Sequence, residues 1–297
     1  MTRKHILHML TPLKQISPFD VNMALDAGFD AIVPYVGVEL GDVTGLVQDA
    51  IFSRPPDAGA DTGVFIAGKD APLALDMSVA ARKAMVPPFQ LSVFADPAGS
   101  FTTAAAMVAK VEKALEKHFK RGLKDARLTI FGATGVVGFC AAVLAAREGA
   151  HVTLAGHDGA KRVLNIAAGM EQRFKLKIAA ADASGEAEKR KLVEASDVVL
   201  SCAKAGVQVL SKKQLSGTGL LVAADINAVP PPGIEGLDVQ ADGERIEATE
   251  IVGIGALATG NVKYKVQAGL FRKMIDSDKT VTFDFHDAFA LAREIAK

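Results

Sequence analysis

Short apolar runs and longer amphipathic stretches alternate along most of this 297-residue chain. Ile6 to Leu10 predicts a strand, and Thr11 to Pro18 a loop. Phe19 to Gly28 predicts a helix with Val21, Met23, Ala24 and Leu25 on its apolar face and glycine as its stop. Ala31 to Val36 predicts a strand, Val43 to Ser53 a helix, and Arg54 to Thr62 a Pro/Gly/Asp loop. A strand over 63–67, a helix over 73–85 and a strand over 91–95 continue the alternation. Strands alternating with helices in this way imply parallel β-α-β units. The first hundred residues therefore predict an α/β domain of their own. A long helix follows, with Ala104, Val108, Val111, Leu115 and Phe119 at helical spacing. The basic stretch from Lys117 to Arg127 reads as a linker.

A second α/β pattern starts at Leu128–Phe131, an apolar run of strand type. Three glycines follow as Gly132-Ala-Thr134-Gly135-Val136-Val137-Gly138, and a small-residue helix continues to Ala146. This is the strand–turn–helix of a dinucleotide site, where glycine permits a sharp turn, close approach of a pyrophosphate and tight helix–strand packing. The helix N-terminus presents its partial positive charge to the phosphates. The spacing is G-x-x-G-x-x-G, not the commoner G-x-G-x-x-G. Leu128 to Ala146 is uncharged and as long as a membrane span. Three glycines in seven positions and the change of periodicity argue against one.

His151 to Ala155 predicts the next strand, with Gly156-His157-Asp158 after it, where an adenosine ribose normally lies. Asp158 is 20 residues past Gly138, where an acid bonds ribose hydroxyls. It also suits the N-cap of a helix over 161–174. Strands are expected over 176–180, 197–201 and 220–224, with 185–195 helical. Cys202-Ala203-Lys204-Ala205-Gly206 is a small-residue loop expected to run over the cofactor. Asp225-Ile-Asn227-Ala-Val-Pro230-Pro-Pro-Gly233 is a rigid turn at a strand's carboxyl end, which gives Asn227 a claim on ligand. Gly253 to Gly260 opens another helix, expected to return to the first domain, and 284–296 a terminal amphipathic helix. The domains expected are 1–120, 121–255 and 256–297.

Two features of the first half carry chemistry. Asp96-Pro-Ala-Gly99-Ser100-Phe-Thr102-Thr103 follows a strand's carboxyl end, where α/β sheets bind ligands. Its structural alternative is a helix cap, with Ser100 or Thr102 bonding the first N–H groups. Composition narrows the rest. Lys plus Arg equals Asp plus Glu at 34 each, so neither nucleic acid nor an anionic membrane is the expected partner. Five apolar-rich residues after the first basic ones are too few for a signal peptide. Cys140 and Cys202 lie in apolar surroundings and read as core thiols of a reducing compartment. No His or Cys spacing suggests a metal, and there is no nucleophile elbow. The fold class expected is α/β: two α/β domains, the second a Rossmann-type dinucleotide-binding domain, with a cleft between them. Such a plan suits hydride transfer, which needs mainly orientation of two rings.

Phe19-Asp20, Asp96-x-x-Gly-Ser-x-Thr-Thr-Ala-Ala-Ala, Ala-Asp225-x-Asn-Ala-x-Pro-Pro-x-Gly-Ile and Gly-Ala-Leu-x-x-Gly-x-x-Lys263-x-Lys265 occur in this order. With the glycine turn they resemble the bacterial methylenetetrahydromethanopterin dehydrogenases, over nearly the whole chain. The resemblance implies oxidation of methylene-tetrahydromethanopterin to the methenyl form with NAD or NADP, by a cytoplasmic homo-oligomer. It places Asp20, Asp96, Gly99, Ser100, Thr102, Thr103 and Asn227 on the pterin and Lys263 as catalytic. It places Gly132, Thr134, Gly135, Val136, Val137, Gly138, His157, Asp158, Ala203 and Asn227 on the cofactor. Two departures are informative. NADP-specific members carry Gly-Arg where this chain has Gly156-His157, and Gly-Thr-Gly-Pro-Val-Gly at the turn. Both point to the members that accept NAD as well as NADP. Loss of hydride leaves a cation spread over N–C–N, so no general base is required. An ammonium about 4 Å from that carbon would oppose it by about 4 kcal/mol at an effective ε near 20. Lys263 is therefore expected to bond an oxygen away from the reacting carbon, or to act neutral. The rivals are a dehydrogenase of methylene-tetrahydrofolate, one of a carbonyl or hydroxy acid, and a non-catalytic NAD(P) sensor.

Overall fold

The computed structural model describes residues 3–296. Its elements in the first part are β1 (Ile6–Thr11), α1 (Pro18–Ala27), β2 (Ala31–Val36), α2 (Val43–Phe52), β3 (Thr62–Ile66), α3 (Ala71–Lys83), β4 (Ser92–Ala95) and α4 (Ser100–Phe119). Then come β5 (Arg127–Phe131), α5 (Val136–Arg147), β6 (His151–Gly156), α6 (Ala160–Phe174), β7 (Ala179–Asp182), α7 (Glu186–Glu194) and β8 (Val198–Ser201). The remainder is α8 (Lys212–Leu215), β9 (Val222–Asp225), β10 (Asp242–Arg245), β11 (Val252–Ile254), α9 (Ala256–Asp276), β12 (Thr282–Phe283) and α10 (Phe285–Ile295). The chain divides into two compact units. Among the described residues one comprises the chain up to 102 and 264–291, the other 103–263 and the chain from 292, so the three boundaries fall inside α4, α9 and α10.

The first unit holds a five-stranded sheet in the order β12-β4-β3-β1-β2. Every pairing in it is parallel. β3 and β4 are buried at every position, as strands covered on both faces must be. Phe65 and Phe94 from these strands pack with Phe271 of α9, the three ring centroids lying 5.1–5.3 Å apart. Gly63 leaves room for this helix, since a Cβ there would stand 2.7 Å from Met274 Cε. α1 ends as expected at Gly28, in the left-handed region at φ 113°. Its buried face is Met23, Ala24 and Ala27; Leu25, expected inside, is 46% exposed.

The second unit holds a seven-stranded sheet in the order β10-β11-β9-β8-β5-β6-β7. All pairings are parallel except β10 with β11. From β7 inward this is the 3-2-1-4-5-6 order of the doubly wound dinucleotide fold, with β10 added at the edge. The order reverses between β5 and β8, and ligands of such sheets bind outside the carboxyl ends at that point. Three differences from the sequence pattern stand out. β7 begins at Ala179 rather than near 176, and β10 and β11, like the two-residue β12, were not expected. These short strands are defined by their neighbours, not by a run of their own. No helix among the described residues is long and apolar enough to cross a membrane.

Candidate active site

The turn after β5 sits at the sheet's reversal point, and each of its glycines meets a different demand. Gly132 has φ +80°, and a Cβ there would lie 2.5 Å from the Cys202 carbonyl and 2.6 Å from Ala203 N. Gly138 is in the first turn of α5, where a Cβ would stand 2.7 Å from Ala133 Cα and Gly132 O. Both glycines are required by the fold itself. Gly135 is not. It is the N-cap of α5 at φ −87°, ψ 164°, a conformation open to any residue. A Cβ there would find nothing nearer than Gly132 O at 3.5 Å. Gly135 is exposed, Thr134, Val136 and Val137 are half-buried, and no side chain caps the helix. The first N–H groups of α5 thus face outward with the helix dipole behind them.

At the end of β6 the chain turns tightly through Gly156, His157, Asp158 and Gly159. The His157 and Asp158 side chains are 75% and 49% exposed, with His157 Nδ1 3.9 Å from Asp158 Oδ1. The N-cap of α6 is Gly159, at φ 100°, with no side-chain cap. Asp158 therefore does not cap this helix.

The loop after β8 packs on the glycine turn. Cys202 N–H donates to Phe131 O at 2.8 Å, which carries the β5–β8 ladder into the loop. The Cys202 thiol is buried, 3.7 Å from Met107 Sδ, and burial together with the nearby Asp225 pushes its pKa far up. It is an inert core thiol. Cys140 is also buried. Asp225 ends β9, almost wholly buried. Its carboxylate accepts from the N–H groups of Asn227 (3.1 Å), Gly233 (2.7 Å) and Ile234 (3.2 Å). Burial raises its pKa and these donors pull the other way. Asn227 is 4% exposed. Its Oδ1 accepts from Gly206 N–H at 3.1 Å and Val229 N–H at 2.9 Å, and its Nδ2 donates to Pro231 O at 2.8 Å.

In the first unit, Asp96 and Thr102 are fully buried together. Asp96 Oδ1 accepts from the N–H groups of Phe101 (2.8 Å) and Thr102 (3.2 Å), and Oδ2 from the Thr102 hydroxyl at 2.7 Å. The carboxylate, not Ser100 or Thr102, satisfies the start of α4. Ala98 and Gly99, both left-handed at φ 54° and 63°, bend the loop so that Asp96 reaches these donors. Ser100 is buried and Thr103 half-buried. Asp20 lies in the first turn of α1, 2% exposed, and accepts from Gln267 Nε2 at 2.8 Å. Gln267, fully buried on α9, has no counterpart among the residues singled out from sequence. Its one signal is position: it stands four residues after Lys263, on the same helix face. Lys263 is half-buried and Lys265 exposed, as expected for residues two apart on a helix.

Comparison with known proteins decides the family. Residues 18–98 match the sequence profile described as "Methylene-tetrahydromethanopterin dehydrogenase, N-terminal". The NAD(P)-dependent methylenetetrahydromethanopterin dehydrogenase of Methylorubrum extorquens is 54% identical over 294 residues, 99% of each chain. The chain belongs to the methylenetetrahydromethanopterin dehydrogenase family. Solved structures share the α/β fold at low sequence identity. The NAD-dependent malic enzyme of Thermotoga maritima superimposes with a TM-score of 0.57 at 12% identity, over 97% of this chain and 84% of that one. Shikimate 5-dehydrogenase of Listeria monocytogenes gives 0.50 at 13% identity, over 91% of each.

The glycine turn of this chain fits a dinucleotide. Gly135 leaves open space over outward N–H groups, where a pyrophosphate would approach the backbone. Val136, Val137 and Gly138 supply those N–H groups, and Ala203 follows the peptide that closes on Gly132. Among the described residues no group of three or more His, Cys, Asp and Glu could hold a metal.

Proposed function

We propose that this protein oxidises methylene-tetrahydromethanopterin to methenyl-tetrahydromethanopterin by hydride transfer to NAD or NADP. The observation that carries the cofactor half is Gly135, a glycine that neither backbone conformation nor packing requires. The substrate half is supported by the family, whose curated relative bears that activity in its name. The nicotinamide, when bound, supplies the hydride acceptor. The chain's own residues bind and orient. N–H groups of α5 hold the pyrophosphate through charge-assisted bonds. His157 and Asp158, exposed beyond β6, meet the adenosine ribose, His157 offering a ring N–H and Asp158 an acceptor for its hydroxyls. The pterin is met by Asp20, Gly99, Ser100, Thr103 and Lys263, with Asp96 and Thr102 bracing the loop from within. Lys263 bonds an oxygen of the pterin away from the carbon that loses hydride, because a charge beside that carbon would oppose the cation. No residue is asked to take up a proton.

Cys140 and Cys202, both buried, suit the reducing cytoplasm. The deciding experiment offers the purified protein NAD or NADP with methylene-tetrahydromethanopterin, with methylene-tetrahydrofolate, or with neither. Reduction of both nicotinamides with the methanopterin substrate is the expected result. Reduction with the folate alone overturns the substrate, and no reduction with either overturns the reading.

A further inference from the structure

The bonds of Asn227 to Val229 and Pro231 are local, but the third reaches a different loop. Its Oδ1 holds the N–H of Gly206, 21 residues earlier in the chain. That loop begins with the Cys202–Ala203 peptide packed against Gly132. It is fixed at its start by Cys202 N–H on Phe131 O, and at its end by the N–H groups of Val209 and Leu210 on Gly233 O, at 2.7 and 3.0 Å. Between these ends Val207 N–H bonds within the loop, to Lys204 O at 3.2 Å. Among the described residues, the Asn227 carboxamide is the outside group that holds the middle. Both of its acceptor positions and one of its two N–H groups are already engaged, and with the residue almost wholly buried only the second N–H is left for a ligand.

We propose that Asn227 is a positioning residue for the dinucleotide: it fixes the 203–206 loop over the glycine turn and bonds neither the pterin nor the nicotinamide. The proposal rests on the cofactor site described above. Without this fastening the loop is held only at its ends, and binding must reorder it, which weakens affinity without removing any contact. An Asn227→Ala protein is therefore expected to bind NAD and NADP at least tenfold more weakly by calorimetry. Its KM for the pterin and its kcat at saturating cofactor should stay within about threefold of native. Asn227→Asp supplies a second readout. A protonated carboxyl can accept from Gly206 and Val229 and donate to Pro231 O, whereas an ionised one sets a negative oxygen against that carbonyl. NADP affinity of Asn227→Asp is thus expected to fall as pH rises, more steeply than in the native protein.

An unchanged NADP Kd in folded Asn227→Ala overturns the proposal, and so does a raised pterin KM with unchanged Kd, which would make Asn227 a substrate contact. If the alanine protein does not fold, a pH-independent shift in Asn227→Asp has the same force. Gly135→Val serves as the control. Should it still bind NADP, the cofactor site itself is misplaced and the role of Asn227 falls with it.

Discussion

At the level of single residues, the three turn glycines make separable predictions. Gly132→Ala forces a Cβ at positive φ into the Cys202–Ala203 peptide. It is expected to cost about 1–3 kcal/mol of stability, visible as a lower Tm. Gly135→Val meets no such obstacle. It should keep stability within the roughly 1 kcal/mol an N-cap substitution costs, yet lose NADP binding by calorimetry. Equal damage to Tm from both substitutions would mean that Gly135 serves the fold after all. His157 allows a third test. Arg holds a phosphate bidentately, whereas an imidazole can offer it only one N–H at a time. A charge-assisted bond is worth about 1.5–3 kcal/mol. His157→Arg is therefore expected to shift the KM ratio toward NADP about tenfold or more. A constant ratio would remove His157 from the ribose.

At the level of elements, the loop from β4 to α4 joins strain to satisfaction. Two successive left-handed residues are tolerated because Asp96, fully buried, gains two backbone donors and a hydroxyl. Thr102→Val removes that hydroxyl and leaves a buried carboxylate one donor short, an expected loss of about 1–3 kcal/mol in denaturant unfolding. Thr103→Ala is expected to alter the pterin KM more than Tm, and the opposite pattern would make Thr103 part of the scaffold. The alternation of strands and helices was legible because each element carries its own period, and so was the glycine turn, whose demands are local. The capping group at α4 was not legible, because a hydroxyl in the first turn and a carboxylate four residues earlier look equally suited until the backbone bends between them. Asp20 and Gln267 meet across 247 positions, a distance no spacing rule spans. β10 and β11 were invisible for the related reason that their residues become strands only by pairing.

At the level of the molecule, Asp197 couples the second sheet to pH. It accepts from Arg127 N at 2.9 Å and from Arg127 Nη2 at 2.9 Å, with Arg121 Nη2 at 3.4 Å. Burial alone would raise its pKa, but the bonds from Arg127 and the two guanidinium charges outweigh that and lower it. A carboxylate depressed in the folded state adds stability above its unfolded pKa, near 3.9, and loses it as pH falls through the folded value. Native protein should therefore exceed Asp197→Asn by about 1–2 kcal/mol at pH 7, since the Arg127 side chain is largely exposed. The gap should close below pH 4 in parallel chemical denaturations, and a gap that persists there would assign it to geometry instead of charge. The burial of both cysteines has a further consequence. A thiol reagent can modify Cys140 or Cys202 only after something opens, so alkylation in native buffer is a clock for local unfolding. Because the Cys202 peptide packs against the glycine turn, its clock should slow when NADP is added. The pace of Cys140, inside α5, would then tell loop opening from opening of the whole sheet.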